Sequence, residues 1–544
     1  MVLRTGLLCF IVLVLVFSTP ALALAPQDEM AWRLVATGIE YQKFQLPDPN
    51  DVFVVRMDRS NPMVTLESSI GQGKLSEGRE TVSSMYARYD QTLSFWGGSS
   101  NPPTWGMRNQ VIVAINGSYF DLNTGIPWSG QVQSGWYAKR YDDLGGGSGF
   151  AWMLDRSAII GDCVFHRPEK QLISYPITRH SQQITRVNTP RGENELVLYT
   201  PQYNSRTGTD NSGTEVVVEM TRPTMILPEP AYTSGIVRQI HRGEGNSLIP
   251  FNSIVLSAHG NASYILEENV HIGDEIRISQ EITSYQGDCI TPYPLSWTKT
   301  YASISGAYFF LKDGQILDYD DPGATNRHPR TAILYNDQYI FYLVVNGRDP
   351  GHSVGMSIHE LAVFGRDTLG ATWGVSQDGG GSSTMVVNGQ VVNKSNCEVY
   401  TPEAIPSPYA AYFPLIFQDI NGSETGSSNT SEDSNSSPCN ERAVANGMLM
   451  VIAQPGVYST SFVPGSFVTT LVDTDLRLGP GTNYDSFTTI PKDTPGNIMD
   501  QINGLNGVLA KSNYWWYVNF GGVVGWVPEG ALAGQTGELG RPAR

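Results

Sequence analysis

The densest cluster of reactive groups in the sequence is Asp378-Gly379-Gly380-Gly381-Ser382-Ser383-Thr384, an acid followed by three glycines and three hydroxyls. Three glycines in a row cost backbone entropy in any regular element. What they permit is a turn with bared N–H groups, a concavity suited to anions, with the Asp378 carboxylate at its rim. Arg330 and Arg348 adjoin apolar runs at turns, and arginine clamps phosphate bidentately. Asn116, in Ala114-Ile115-Asn116-Gly117, is either a ligand for sugar hydroxyls or a turn residue tolerant of left-handed backbone. Glu360 offers a second carboxylate, although it is also the third position of a capping box that begins at Ser357. Carboxylates beside an anion cradle suit acid/base or nucleophilic work on a bond next to the bound anion. Ser382 and Ser383 do not form a Gly-x-Ser-x-Gly elbow, which disfavours serine-hydrolase chemistry. The histidine and cysteine spacings resemble no metal site, and no motif requires a cofactor.

These residues need strand ends and turns to hold them. The run Val111-Ile112-Val113-Ala114-Ile115 reads as a buried strand entering the Asn116-Gly117 turn. Thr331 to Leu334 and Ile340 to Val345 read as a second buried pair. Ser357 to Leu369 predicts a helix ended by Gly370. A strand at Trp373-Gly374-Val375 then leads into the glycine stretch. Met385-Val386-Val387, turning at Asn388-Gly389, predicts a hairpin. Further strands are expected at Val52 to Met57, Met63 to Leu66, Glu195 to Tyr199, Glu215 to Met220, Ile254 to Ser257 and Glu275 to Ser279. The fold class expected is α+β, a β-rich mixed-sheet catalytic domain.

The chain has 544 residues and a formal net charge of −17. That length implies two or three domains. The acidity argues against nucleic acid and anionic membrane surfaces as partners. Residues 1–25 read as a signal peptide, with Arg4, an apolar run from Leu7 to Phe17, and small residues at Ala21 to Ala25. No second such run follows, so a secreted or envelope protein with no membrane span after cleavage is expected. Cys163, Cys289, Cys397 and Cys439 are compatible with two disulfides of undetermined pairing. The catalytic domain is placed at 26–460, interrupted by a low-complexity insert at 419–438 with sequons at Asn421, Asn429 and Asn435. Residues 466–534 have short strands, Gly/Pro turns and closely spaced tryptophans, and predict a small all-β barrel. Leu476-Arg477-Leu478-Gly479-Pro480-Gly481-Thr482-Asn483-Tyr484 and Gly525-Trp526-Val527 resemble a bacterial SH3 domain. That resemblance implies cell-wall peptide or polysaccharide as a partner.

Taken in order, Ala114 to Asp121, His328-Pro329-Arg330-Thr331-Ala332, Val345-Asn346-Gly347-Arg348, Glu360-Leu361-Ala362, Asp378 to Met385 and Asn393 resemble the phosphodiester glycosidase family. The likeness runs over roughly residues 35–455 and includes Glu441-Arg442-Ala443-Val444. It implies an exported glycoside hydrolase freeing sugar and phosphomonoester from a sugar-1-phosphodiester, N-acetylglucosamine-type or related. Asp378 and Glu360 are then the catalytic candidates. Asn116, Arg330, Arg348, Gly379, Gly380, Gly381, Ser382, Ser383, Thr384 and Arg442 are the substrate- and phosphate-binding candidates. This chain has Ser376-Gln377 where the family has Asn-Leu, which leaves the sugar open. The alternatives are a phosphoglycan-binding protein without catalysis and a phosphodiesterase cutting P–O.

Overall fold

A computed structural model describes residues 31–75, 78–94, 106–141, 147–153, 155–166, 171–221, 233–279, 282–284, 300–394, 441–501 and 504–534. The signal segment 1–25, the insert with its three sequons, and Cys289, Cys397 and Cys439 lie outside these residues, as does the side chain of Cys163. Seven strands and one helix frame the candidate site: β1 (Asn50–Asp58), β2 (Met107–Asn116), β3 (Arg330–Tyr335), β4 (Tyr339–Val345), α1 (Ile358–Val363), β5 (Trp373–Ser376), β6 (Met385–Val387) and β7 (Asn446–Gln454). One eight-stranded sheet runs Arg33–Ala36, Ile39–Leu46, β1, β4, β3, β5, Phe309–Lys312, Gln315–Ile316. A second runs Gln390–Val391, β6, β2, β7, Val64–Ile70, with Leu93–Ser94 paired to β2 off this path.

The first sheet is buried on both faces, which explains its continuous apolar runs. Side chains alternate along a strand. Val52 and Val54 of β1 join Leu343, Val345 and the α1 residues Ile358, Leu361 and Ala362. Phe53, Val55 and Met57 point the other way, onto Val113, Ile115, Met448 and Met450 of the second sheet. Each such side chain contributes about 1.5–3 kcal/mol on burial. Val111 and Ala114, on the second sheet's other face, pack with Val82 and Met85 of the Val82–Tyr89 helix. A register shift in the β2–β7 pairing, between Met450 and Val451, puts Val111 and Ala114 on that shared face.

The predicted helix from Ser357 begins with a formed capping box: Ser357 N–H donates to Glu360 at 2.9 Å, and Glu360 N–H donates to Ser357 Oγ at 3.2 Å. It is shorter than expected, because Phe364–Thr368 widens into a π-type turn. Gly365 sits there, where a Cβ would come within 2.4 Å of Leu334 Cδ2, so the backbone presses directly on the sheet. A helix over Asn261–Asn269 carries no signal that the sequence reading used.

Three further sheets complete the described residues. The C-terminal one carries the strands expected within 466–534, from Phe467–Thr470 to Leu532–Gly534. Its strand Asn513–Phe520 splits its side chains by alternation. Trp516, Val518 and Phe520 enter the C-terminal sheet's own cluster. Trp515 joins Trp526, Leu505 and Val508 in a cluster shared with Leu93, Trp136 and Phe251 of the preceding parts.

Candidate active site

The antiparallel register decides which residues meet. Arg330 pairs with Val345, and Ala332 pairs with Ser376. The start of β3, the Asn346-Gly347-Arg348 turn after β4 and the Gln377-Asp378 exit from β5 therefore share one edge. Met385 of β6 pairs with Ile115 of β2, so residues 377–384 step from the first sheet to the second.

Asn116 is the staple at that step. It is fully buried. Its Nδ2 donates to Asp378 O at 2.8 Å, and its Oδ1 accepts from Thr331 Oγ1 at 2.7 Å and Thr384 N–H at 3.1 Å. With both ends of the amide engaged inside the protein, Asn116 positions the Asp378 backbone and has no free group for a sugar hydroxyl. Asn116 ends the strand Met107–Asn116 in extended backbone, so its place is that of a structural link between two sheets rather than of a left-handed turn residue.

Asp378 is 9% exposed. Burial pushes its carboxyl up to about 6, against the pull of the Ser382 hydroxyl, the Arg442 charge and the Gly379 N–H. Ser382 Oγ also accepts from Arg442 Nη1 at 3.4 Å. The Arg442 guanidinium lies 5.7 Å from the centre of the Phe120 ring. Asp378, Ser382 and Arg442 thus form one connected group.

The glycine turn differs from an open cradle. Gly380 N–H donates to Pro329 O at 2.9 Å, Ser382 N–H to Gly379 O at 3.2 Å and Ser383 N–H to Gly380 O at 3.2 Å. Gly379 N–H faces the Asp378 carboxylate. Among the described residues, Gly381 N–H alone in Gly379–Gly381 lacks a partner. Gly379 and Gly380 are needed for close approach instead: a Cβ at Gly379 would meet Pro329 O at 2.8 Å, and one at Gly380, with φ +59, would meet Arg348 Nη2 at 3.2 Å. Ser382, Ser383 and Thr384 are buried, and Ser383 Oγ and Thr384 Oγ1 have no partner among the described residues.

Arg348 borders a cavity of about 330 Å³ together with Gly380, Gly381, Lys394, His352 and Asp51. Its φ of 61° is left-handed, an unfavourable backbone state for arginine that a site loop can hold. Among the described residues no carboxylate pairs with its guanidinium. Lys394 Nζ is 3.7 Å from Asp349 Oδ2. The sequence reading missed Lys394; its one signal is adjacency to Asn393, which accepts from Met385 N–H at 2.7 Å and closes the hairpin.

Arg330 is placed differently from Arg348. It is buried, and it donates from Nε to Met356 O at 2.8 Å and from Nη2 to Gly323 O and Asn326 O, each at 2.8 Å. Those carbonyls fix the guanidinium as a structural clamp with a fixed positive charge; Nη1 has no partner among the described residues. His328, beside it, is pulled down to about 4 by burial and by the Arg330 and Arg348 charges. The imidazole is therefore neutral near pH 7, and both ring nitrogens lack partners among the described residues.

Glu360 is not brought to this group. Its carboxylate caps its own helix and pairs with Arg327, whose Nε donates to Oε1 at 3.0 Å and whose Nη2 also reaches Asp48. Partial burial raises its pKa, but the Arg327 and Ser357 bonds outweigh that and hold it below the ordinary range. These bonds favour the capping role of Glu360 over the catalytic role expected of it.

Residues 239–406 match the phosphodiester glycosidase family model. The match spans Arg330, Arg348 and the glycine turn, and it suggests phosphodiester glycosidase activity; Asn116 and Arg442 lie outside it. None of the curated proteins matches. Among solved structures, a hypothetical protein from Synechocystis is similar at TM-score 0.44 and 14% identity, over 77% of this chain and 62% of that one. The chain thus spans less than two thirds of that protein's length. The catalytic domain of zebrafish N-acetylglucosamine-1-phosphodiester alpha-N-acetylglucosaminidase, auto-inhibited by its pro-peptide, is similar at TM-score 0.33 and 12% identity, over 76% and 81% of the two chains.

Proposed function

We propose that the protein is a hydrolase that cleaves the glycosidic bond of a sugar-1-phosphodiester, releasing free sugar and a phosphomonoester. The observation carrying this reading is a buried carboxyl, Asp378, at the start of the glycine turn whose Gly380 and Gly381 line a cavity with Arg348 and Lys394, where Asp349 is already paired with Lys394. In this account Arg348, Gly381 N–H and Lys394 hold the phosphate, while the fixed charge of Arg330 adds to the local positive field. Asp378 is buried, and the low local dielectric strengthens each electrostatic interaction there. Charge on the sugar grows positive as the C–O bond breaks, and the Asp378 carboxylate stabilises that charge or activates the incoming water. The phosphate departs as a stable anion, so no second carboxylate is needed and Glu360 is left out.

The same reading takes residues 1–25 as an export signal and the C-terminal sheet as a cell-wall-binding, SH3-like module. Incubation of purified protein with a panel of sugar-1-phosphodiesters tests the activity. Free sugar with phosphomonoester supports it. Sugar phosphate with alcohol supports P–O cleavage, and binding without turnover supports a recognition protein.

A further inference from the structure

Arg442 comes to the candidate site from the segment just ahead of β7, and the framework around that segment fixes its place. Ser83 N–H, at the start of the Val82–Tyr89 helix, donates to Glu441 Oε1 at 3.0 Å. Glu80 and Val444 exchange backbone hydrogen bonds, each at 2.9 Å. Between those two anchors the Arg442 guanidinium meets the Phe120 ring, 5.7 Å from its centre, and Ser382 Oγ at 3.4 Å. The described lining of the Arg348 cavity does not include Arg442. Its place is beside Asp378, away from the side of the glycine turn where the phosphate is assigned.

The direction of the hydrogen bonds follows from the groups themselves. Arginine can only donate, so Arg442 Nη1 takes a lone pair of Ser382 Oγ. Ser382 is fully buried, and its single O–H is left to donate to the Asp378 carboxyl. Donation therefore runs from Arg442 to Ser382 to Asp378. Both the bond and the charge behind it are stronger towards a carboxylate than towards a neutral carboxyl. The other cations nearby face elsewhere. Arg330 commits Nε and Nη2 to three carbonyls, and its charge acts on Tyr119, Tyr308, Asp321 and Arg348. The Arg330 and Arg348 charges act together on His328. Among the described residues, Arg442 is the charged side chain that acts on Asp378.

Taking Asp378 as the reacting carboxyl of the proposed hydrolysis, we propose that Arg442 is a positioning residue acting through Ser382. It turns the Ser382 hydroxyl onto Asp378 and favours the carboxylate that the reaction uses; it does not hold the phosphate, the role that the family resemblance implies for it.

The test uses the full chain and two readouts across pH. Thermal melts compare each protein with the same protein carrying Asp378→Asn, and kcat and KM are measured on a sugar-1-phosphodiester. For the wild type the Tm gap should open from about pH 4 and level off near 6, where Asp378 is ionised in the fold. In Arg442→Gln the gap should go on widening for about one pH unit more, and the rise of kcat should move up with it. KM should stay within about threefold of wild type. Ser382→Ala should move both profiles the same way, whereas Arg442→Lys, which keeps the charge, should leave them near the wild-type position. Should Arg442→Gln not fold, the serine and lysine variants carry the comparison. Profiles unmoved in Arg442→Gln and Ser382→Ala would overturn the proposal, as would Arg442→Lys moving them as far as Arg442→Gln. So would a KM raised about tenfold or more in Arg442→Gln with the pH profile unmoved, the signature of a phosphate ligand. The melts need no turnover, so they decide the role of Arg442 even where the glycosidase reading fails.

Discussion

A carboxyl group held inside a protein is costly when ionised, and Asp378 carries that cost where the chemistry is proposed. Its folded value of about 6 lies above the ordinary 3.8. The protonated form is favoured in the fold, and the stability this supplies is complete below about pH 4 and lost as pH rises through 6. Above that, the ionised group costs up to ~3 kcal/mol. Asp378→Asn should therefore raise Tm at pH 8, with the gap closing near pH 4 in thermal melts. The same variant should abolish turnover, at least about 10³-fold, since among the described residues no other carboxylate joins Asp378, Ser382 and Arg442. For the wild type, kcat should rise with pH through an apparent value near 6, as the carboxylate form is populated. Glu360→Gln should stay within about threefold of wild type and cost under ~1 kcal/mol, the worth of a surface cap and ion pair. Arg348→Gly separates strain from binding: glycine accepts φ 61° freely, so the protein should be no less stable while KM rises about tenfold or more.

At the level of strands and turns, the site depends on one side chain joining two sheets. Asn116→Ala removes bonds to Asp378 O, Thr331 and Thr384 at a fully buried position. It should cost about 2–4 kcal/mol in denaturant unfolding and lower activity, without the substrate ever touching residue 116. The sequence made this framework legible as strands, because apolar runs and turn residues are local signals. Val52 to Met57, Val111 to Ile115 and the Asn388-Gly389 hairpin all stand where their patterns put them. It did not reveal that Pro329 O would take the Gly380 N–H, or that Thr331 and Thr384 would take the Asn116 carbonyl. Those partners come from distant segments, and only pairing register brings them together. Glu360 illustrates both sides: the capping box reads off four consecutive residues, whereas its pairing with Arg327 does not.

At the scale of the whole molecule, the C-terminal sheet is built into a common core. Trp526 packs on Phe251 with ring centres 5.7 Å apart, and both belong to the cluster that includes Leu93 and Trp136. The composition change near residue 466 marks where its strands begin, but composition cannot report which face is shared. Removing residues 463–544 should therefore expose this apolar surface and yield aggregated protein. Trp526→Ala should cost about 3–5 kcal/mol, read as one lowered unfolding transition for the full chain. Cleavage of the sugar–oxygen bond by Asp378 and the Arg348 cavity can be followed by hydrolysing a sugar-1-phosphodiester in ¹⁸O-labelled water and analysing both products by mass spectrometry. The label is predicted in the free sugar alone, with the wild type active and Asp378→Asn inactive. Label in the phosphate, or equal turnover by the two proteins, would contradict the account.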